Sequence, residues 1–156
     1  MDFDCGFEAT DALTSEQQLR RFGPTVHVEV GYDEVFDYKS PFGVGRKPPF
    51  SVGCNVPALI DTGAVISCID EQLAQDVGLA LVDQQKIAGV DGEVMLNVYL
   101  AHIYFSGLGQ LRWGRFTGAR LSKGAHPQQV LLGRDFLQGT IMIYDGQTGA
   151  VRLSRA

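Results

Sequence analysis

An aspartate directly follows an apolar run of this chain. Residues 58–60 are Ala, Leu and Ile, and Asp61 is followed by Thr62, Gly63 and Ala64. Apolar runs of this kind form buried strands, and a charged group at the end of such a strand must be paired or functional. Thr62 supplies a hydroxyl, Gly63 allows a close approach of the backbone, and Ala64 adds little hydrogen bonding. These residue types suit an enzyme that holds two carboxyl groups around one water molecule.

Three segments of the sequence resemble one protein family. Residues 61–64 resemble the Asp-Thr-Gly-Ala of the retropepsin-like (retroviral-type) aspartic proteases. Residues 130–137 are similar to the apolar-apolar-Gly-Arg-Asp/Asn segment that, in this family, packs beside the catalytic strand and opens a short C-terminal helix. Residues 143–153 are similar to the last hairpin of bacterial members. The order and spacing agree, and the resemblance, to a bacterial-like branch of the family, covers roughly residues 25–154.

The resemblance implies a fold and an assembly. The implied fold is an all-β, closed, barrel-like retropepsin (acid protease) fold with one or two short helices and a flap hairpin. The 156 residues suit one domain, whereas pepsin-type enzymes carry two catalytic motifs on two lobes. With one motif in this chain, the second aspartate must come from a second copy, which implies a C2 homodimer. We expect residues 1–24 to be an N-terminal extension and residues 25–156 to form the protease domain.

The resemblance also assigns catalytic roles to Asp61, Thr62 and Gly63. In the implied dimer, the two Asp61 carboxyls share one proton, because like charges about 3 Å apart do not both ionise cheaply. The charged carboxylate acts as the base on the bound water, and the protonated one polarises the scissile carbonyl. Thr62 corresponds to a hydroxyl that bonds across the dimer axis, and Gly63 to backbone that contacts the peptide. This chemistry needs no metal and no cofactor.

Further site residues follow from the same resemblance. Substrate contacts are expected from Ala64 and from the tip of a hairpin placed where the family carries its flap, formed by Gly89, Val90, Asp91 and Gly92. Structural support is expected from Ser67, Leu132, Gly133, Arg134 and Asp135. Many retroviral members have an Asp directly after the motif, but this chain has Val65. Arg134 must therefore find another partner.

The remaining pattern predicts short elements. Helices are expected at residues 16–21, capped by Thr14 or Ser15, and at residues 71–77, capped by Asp70. Residues 31–49 are rich in Gly, Pro and aromatic residues and are interpreted as an irregular excursion. A hairpin over residues 86–96 carries the glycine tip, and a helical turn follows at residues 134–138. Other strands are predicted at residues 25–30, 50–52, 56–60, 94–105, 111–121, 130–132, 141–144 and 150–153.

Composition limits the partners. The formal net charge of −5 argues against nucleic acid as the main partner. Three cysteines, an odd number without metal-ligand spacing, are typical of free thiols in a reducing compartment. The first residues are acidic and do not resemble a signal peptide, so a cytoplasmic location is expected. Residues 94–111 have no charge, but their polar and β-branched content favours paired strands over a membrane segment.

Three functional hypotheses remain open from the sequence. The leading one is a homodimeric aspartic endopeptidase that binds extended polypeptides as strands. The alternative is a catalytically silent retropepsin-like module that dimerises or binds peptides. In a third, a different protein supplies the second aspartate. The intact Asp-Thr-Gly-Ala sequence favours the enzyme.

Overall fold

The computed structural model describes residues 2–32, 54–89, 91–124 and 126–156. The α-helices in these ranges are α1 (Ser15–Phe22), α2 (Glu71–Val77) and α3 (Arg134–Leu137), and short 3₁₀ helices occur at Ser106–Leu108 and Leu121–Lys123. The strands are β1 (Asp2–Asp4), β2 (Thr25–Gly31), β3 (Cys54–Ile60), β4 (Cys68–Asp70), β5 (Ala80–Gly89), β6 (Gly92–Phe105), β7 (Gln110–Ala119), β8 (Val130–Leu132), β9 (Thr140–Asp145) and β10 (Ala150–Arg155). The predicted irregular excursion, beyond its first two residues, and the strand predicted at residues 50–52 lie outside the described residues.

The main sheet closes into a barrel. Its strand order is β2-β3-β8-β4-β7-β6-β5, and β2 also pairs with β6. The second pairing joins Val30 to Ile103 and Glu29 to Tyr104, so six strands form a closed ring and β5 lies outside it against β6. Closure leaves these six strands without a free edge. The expectation of a closed, barrel-like, all-β domain is confirmed.

Alternating side chains of the ring strands fill the interior. Val26, Val28 and Val30 of β2 are at most 2% exposed, which is the period of two expected when one face of a strand is buried. The same alternation runs through Val56, Ala58 and Ile60 of β3. Because Ile60 is the last inward residue of β3, the next residue, Asp61, emerges at the end of the barrel wall.

Residues 2–24 contribute to the same core. β1 pairs with β10, which pairs in turn with β9, and Phe3 faces Leu153. Helix α1 begins after Thr14, whose side chain and backbone form a capping box with Gln17. Leu19 of α1 is 1% exposed and belongs to the barrel's hydrophobic cluster. The sequence predicted α1 but not β1, because three residues are too few to show an alternation.

The glycine-tipped hairpin is present and longer than expected. β5 and β6 pair up to Gly89 and Gly92, and an ion pair of 3.5 Å joins Lys86 to Glu93 across the strands. β5 begins at Ala80, well before the predicted start, directly after α2 ends at the left-handed Gly78. Most of β5 is exposed and has no apolar alternation, which explains why the sequence pattern did not reveal its first half.

Candidate active site

Two parallel strands hold the backbone of Asp61. β3 and β8 run side by side with Ile60 opposite Leu132, and the backbone N–H of Asp61 donates to the Leu132 carbonyl at 2.9 Å. β8 also pairs with β4 on its other side, where Leu131 faces Cys68. The residues that leave β3 and those that enter β4 are therefore both fixed against β8. We call the intervening residues 61–67 the Asp61 loop.

The first turn of the Asp61 loop presents its carboxylate toward solvent. The Gly63 N–H donates to Oδ1 of Asp61 at 2.9 Å, and the Ala64 N–H donates to the Asp61 carbonyl at 3.2 Å. Asp61 is half-exposed, and Thr62 and Gly63 are exposed. A Cβ at position 63 would lie 3.1 Å from Asp61 Oδ1, so glycine suits this close approach. The carboxylate is thus oriented by its own loop and left accessible.

A buried hydroxyl fixes the end of the Asp61 loop. Ser67, which is 1% exposed, donates from Oγ to Asp135 Oδ1 at 2.7 Å and accepts from the Gly133 N–H at 2.9 Å. Its own N–H donates to Asp135 Oδ2 at 3.1 Å. The Asp135 carboxylate also accepts from the Phe136 N–H at 2.8 Å, at the start of α3. These bonds join the loop, the end of β8 and α3 into one hydrogen-bonded unit.

Arg134 braces the middle of the loop. Its Nη1 donates to the Thr62 carbonyl at 2.9 Å, and its N–H donates to the Ala64 carbonyl at 2.9 Å. Arg134 therefore pairs with a backbone carbonyl, because Val65 has no carboxylate to offer. Gly133 makes the approach possible, since a Cβ there would lie 2.9 Å from the backbone carbon of Ile66.

The Cys68 thiol, just beyond the loop, experiences two carboxylates. Burial, followed by the negative charges of Asp135 and Asp61, raises the pKa of Cys68 above its ordinary range. The neutral thiol therefore predominates near neutral pH, and Cys68 is poorly suited to act as a nucleophile.

Among the described residues, no group of three His, Cys, Asp or Glu side chains could hold a metal ion.

Comparison with known proteins was consistent with this geometry. The sequence profile of the family described as "gag-polyprotein putative aspartyl protease" matches residues 52–139, which is more than half of the chain. The chain belongs to this family of aspartyl proteases. The matched region contains the Asp61 loop, the β5–β6 hairpin, β8 and α3. No curated protein sequence was found to match.

Solved structures of two viral proteases are similar to this chain. The solution structure of the Simian Foamy Virus (mac) protease has 15% identity and a TM-score of 0.47, covering 73% of this chain and 91% of the viral one. The EIAV protease complexed with the inhibitor HBY-793 has 20% identity and a TM-score of 0.46, covering 74% of this chain and 85% of the viral one.

The structure places the predicted site residues in two regions, the Asp61 loop with its supporting residues and the tip of the β5–β6 hairpin. Asp61, Thr62, Gly63 and Ala64 share one turn, and Ser67, Leu132, Gly133, Arg134 and Asp135 surround its base. Gly89, Asp91 and Gly92 lie at the hairpin tip, and Val90 lies outside the described residues. Within the described parts of the chain, the only hydrogen bond to the Asp61 carboxylate comes from Gly63.

Sequence reasoning missed two exposed apolar side chains in the Asp61 loop. Val65 is 63% exposed and Ile66 is 47% exposed, although both are large apolar residues. The only sequence signal was the absence of the acidic residue at position 65.

No helix in the described ranges is long and apolar enough to cross a membrane.

Proposed function

We propose that this chain is an aspartic endopeptidase that acts as a homodimer, in which the Asp61 carboxyls of two copies activate one water molecule. The observation that carries this proposal is the Asp61 loop itself. Its carboxylate is accessible, is oriented by the Gly63 N–H, and lies on backbone held by Arg134 and by Ser67. Rigid support of an exposed acid is what positioned acid–base catalysis requires.

The reaction divides two roles between identical side chains. The ionised Asp61 of one copy removes a proton from the water, whose oxygen attacks the scissile carbonyl carbon. The protonated carboxyl of the partner's Asp61 donates to the carbonyl oxygen. As the C–N bond breaks, the leaving nitrogen takes the proton that the first Asp61 removed from water, and a hydroxyl of the tetrahedral intermediate returns a proton to the partner's Asp61 as the new carboxyl terminus forms. The two carboxyls can hold different protonation states because they share one proton at close range.

The exposed apolar side chains support a second copy. Val65 and Ile66 belong to the Asp61 loop, and their exposed side chains form an apolar surface on the loop that a partner must approach. Exposed apolar groups that lie together mark interaction sites. We assign this surface to the dimer contact, which brings the partner's Asp61 loop alongside and excludes bulk water from the carboxyl pair.

The β5–β6 hairpin is proposed as the flap over an extended substrate. Its exposed apolar residues Ile87, Val94 and Met95 lie in the half that ends in the glycine tip. A polypeptide held as a strand offers main-chain hydrogen bonds for affinity and alternate side chains for selectivity. Closure of the hairpin would cover the bound peptide and exclude water from the reaction.

Replacement of Asp61 by Asn tests the assignment. Asp61→Asn removes both the base and the acid, so cleavage of a denatured protein substrate should fall by about 10²–10⁴-fold or more. The melting temperature should stay near that of the wild type, because the side chain is half-exposed. Asp76→Asn, an exposed carboxylate on α2, is the matched control and should cleave normally. A folded Asp61→Asn protein that still cleaves would refute the assignment. A wild-type dimer without cleavage would favour the silent module.

A further inference from the structure

A cavity separate from the Asp61 carboxylate lies between β7, α3 and the end of β10. Its volume is about 690 Å³, and its wall includes Arg112, Trp113, Phe136 and Arg155 together with Ser67 at the end of the Asp61 loop, but not Asp61, Thr62 or Gly63. Sites for small molecules are commonly about 300–1,000 Å³. The cavity is therefore large enough for an organic ligand.

Two guanidinium groups give this cavity a positive wall. Arg112 donates from Nη2 to the Gln138 carbonyl at 2.6 Å and lies 5.6 Å above the Phe136 ring. Burial, followed by the positive charge of Arg155, lowers the pKa of Arg112 below its ordinary range. The two cations are thus close enough to repel each other.

No carboxylate forms an ion pair with either arginine in the part of the chain that the structure describes. Asp135 also lines the cavity, but its oxygens bond to Ser67 and to the Phe136 N–H. Neither Arg112 nor Arg155 has an ion-pair partner among the described residues. An anion in the cavity would relieve the repulsion between the two guanidinium groups.

A buried amide supplies a second, independent polar feature. Gln110 is 8% exposed and forms part of the cavity wall. Its side-chain oxygen is buried and has no hydrogen-bond partner among the described residues. Buried polar atoms are normally bonded, so this oxygen gains a partner if the Gln110 amide turns toward a ligand in the cavity. A carbonyl oxygen of this kind accepts from an N–H donor.

We propose that this cavity binds a carboxylate ligand with an aromatic body and an adjacent N–H, which is the chemistry of an N-acylated aromatic amino acid. The carboxylate bonds to Arg112 and Arg155, because guanidinium groups match carboxylates in charge and in planar geometry. The aromatic body packs against Trp113 and Phe136, and the N–H donates to Gln110 once its amide has turned toward the cavity. The proposal does not rest on peptidase activity.

Trp113 provides an intrinsic fluorescence signal with which ligand binding can be measured. Trp113 is the only tryptophan in the sequence and lies in the cavity wall. We would titrate the wild-type protein with N-acetylphenylalanine and follow Trp113 fluorescence, with the indole N–H resonance in NMR as the second measurement. A saturable change is expected. The uncharged N-acetylphenylalanine amide should bind at least about tenfold more weakly, because it cannot form charge-assisted bonds to the arginines.

Matched variants locate the binding. Arg112→Gln and Arg155→Gln should each weaken the acid about tenfold or more, and the double variant should not bind it detectably. Arg115→Gln removes the same charge from the same strand, but Arg115 pairs with Asp83 at 3.4 Å and is not in the cavity wall. It should bind as the wild type does. Far-UV circular dichroism verifies that each variant is folded.

Two sources can offer this chemistry, and a further titration separates them. A tripeptide that ends in phenylalanine with a free carboxylate should bind more tightly than N-acetylphenylalanine if the source is a peptide C-terminus, and equally if it is a free small acid. The proposal is overturned if acid and amide bind equally, if the double variant binds like the wild type, or if no ligand changes either Trp113 signal up to its solubility limit.

Discussion

The Ser67 hydroxyl donates a 2.7 Å hydrogen bond to Asp135, a residue 68 positions later in the chain. The same oxygen accepts from the Gly133 N–H. Through these bonds the last residue of the Asp61 loop is joined to the residues that begin α3. The position of the candidate catalytic carboxylate therefore depends on a contact between the two halves of the barrel.

Removal of the Ser67 hydroxyl should affect both stability and activity. Ser67→Ala leaves the buried Gly133 N–H without its partner and removes one of the two hydrogen bonds to Asp135 Oδ1, at a cost of about 1–3 kcal/mol in the free energy of unfolding. Cleavage should also slow, because the Asp61 loop loses its support. Urea unfolding and kcat/KM measure the two effects. Ser154→Ala, whose hydroxyl makes no hydrogen bond within the described residues, is the control. Wild-type values for Ser67→Ala in both assays would contradict this role.

Arg134 should matter more for catalysis than for folding. Arg134→Met removes the bond from Nη1 to the Thr62 carbonyl, one residue from the carboxylate. Since a small misplacement of a reacting group is costly, kcat/KM should fall about 10–100-fold. The arginine is exposed, so the unfolding free energy should change by about 1 kcal/mol or less. Arg20→Met, an exposed arginine on α1, should alter neither quantity. An equally large loss of stability would instead make Arg134 a folding residue.

Asp70 should make stability depend on pH. Burial alone would raise its pKa, but hydrogen bonds from Ser122 and from the first turn of α2 outweigh burial and lower the pKa. Because the pKa is lower in the folded state, the ionised carboxylate stabilises the fold above its unfolded pKa of about 3.9. This contribution is lost as the pH falls through the folded pKa.

The Asp70→Ala variant tests that dependence. Near pH 7 it should be less stable than the wild type by about 0.5–2 kcal/mol, since it loses the N-cap bond to Leu73 as well as the bond to Ser122. The difference should narrow as the pH falls from the unfolded pKa of about 3.9 through the lower pKa of the folded state, where the wild-type carboxylate becomes protonated. Thermal unfolding across this range is the measurement, with Asp76→Ala as the exposed control. A difference that does not vary with pH would exclude the charge as its cause.

The hairpin tip should become ordered when ligand binds. Gly89 and Gly92 end the β5–β6 ladder, and the strand segments beside them are exposed. Such segments open locally at little cost, and a flap closes over its ligand. Amide hydrogen exchange over residues 86–94 should slow when a statine-type inhibitor is added, while the amides of α2 stay unchanged. Equal exchange with and without the inhibitor would argue against a flap.

Local signals made several features predictable from the sequence. The Asp61 turn follows an apolar strand, and both Thr14 and Asp70 precede helices as capping residues. Each of these depends on residues that are near one another in the chain. The closed barrel followed from the family resemblance and the strand pattern, and the pairing of β2 with β6 confirms it.

The remainder depends on contacts that leave no local pattern. β1 exists because Phe3 packs and pairs against β10, far along the chain. Arg134 could be expected to need a partner, but the Thr62 carbonyl, as a backbone atom, has no sequence signature. The cavity gathers Arg112 of β7 and Arg155 of β10, which lie far apart in the sequence, so no local pattern predicts that they share one wall.

The central claim is that one active site contains two Asp61 residues from two chains, and subunit mixing tests it most directly. The dimer dissociation constant is first measured by sedimentation, and the wild-type protein is kept at a constant concentration above it. Asp61→Asn protein is then added, and the subunits are allowed to exchange. A mixed dimer has one carboxyl and cannot supply both acid and base. An equal amount of the variant should therefore reduce wild-type activity to about half, and an excess should abolish it. Activity that is unaffected by the folded, dimeric variant would contradict the account.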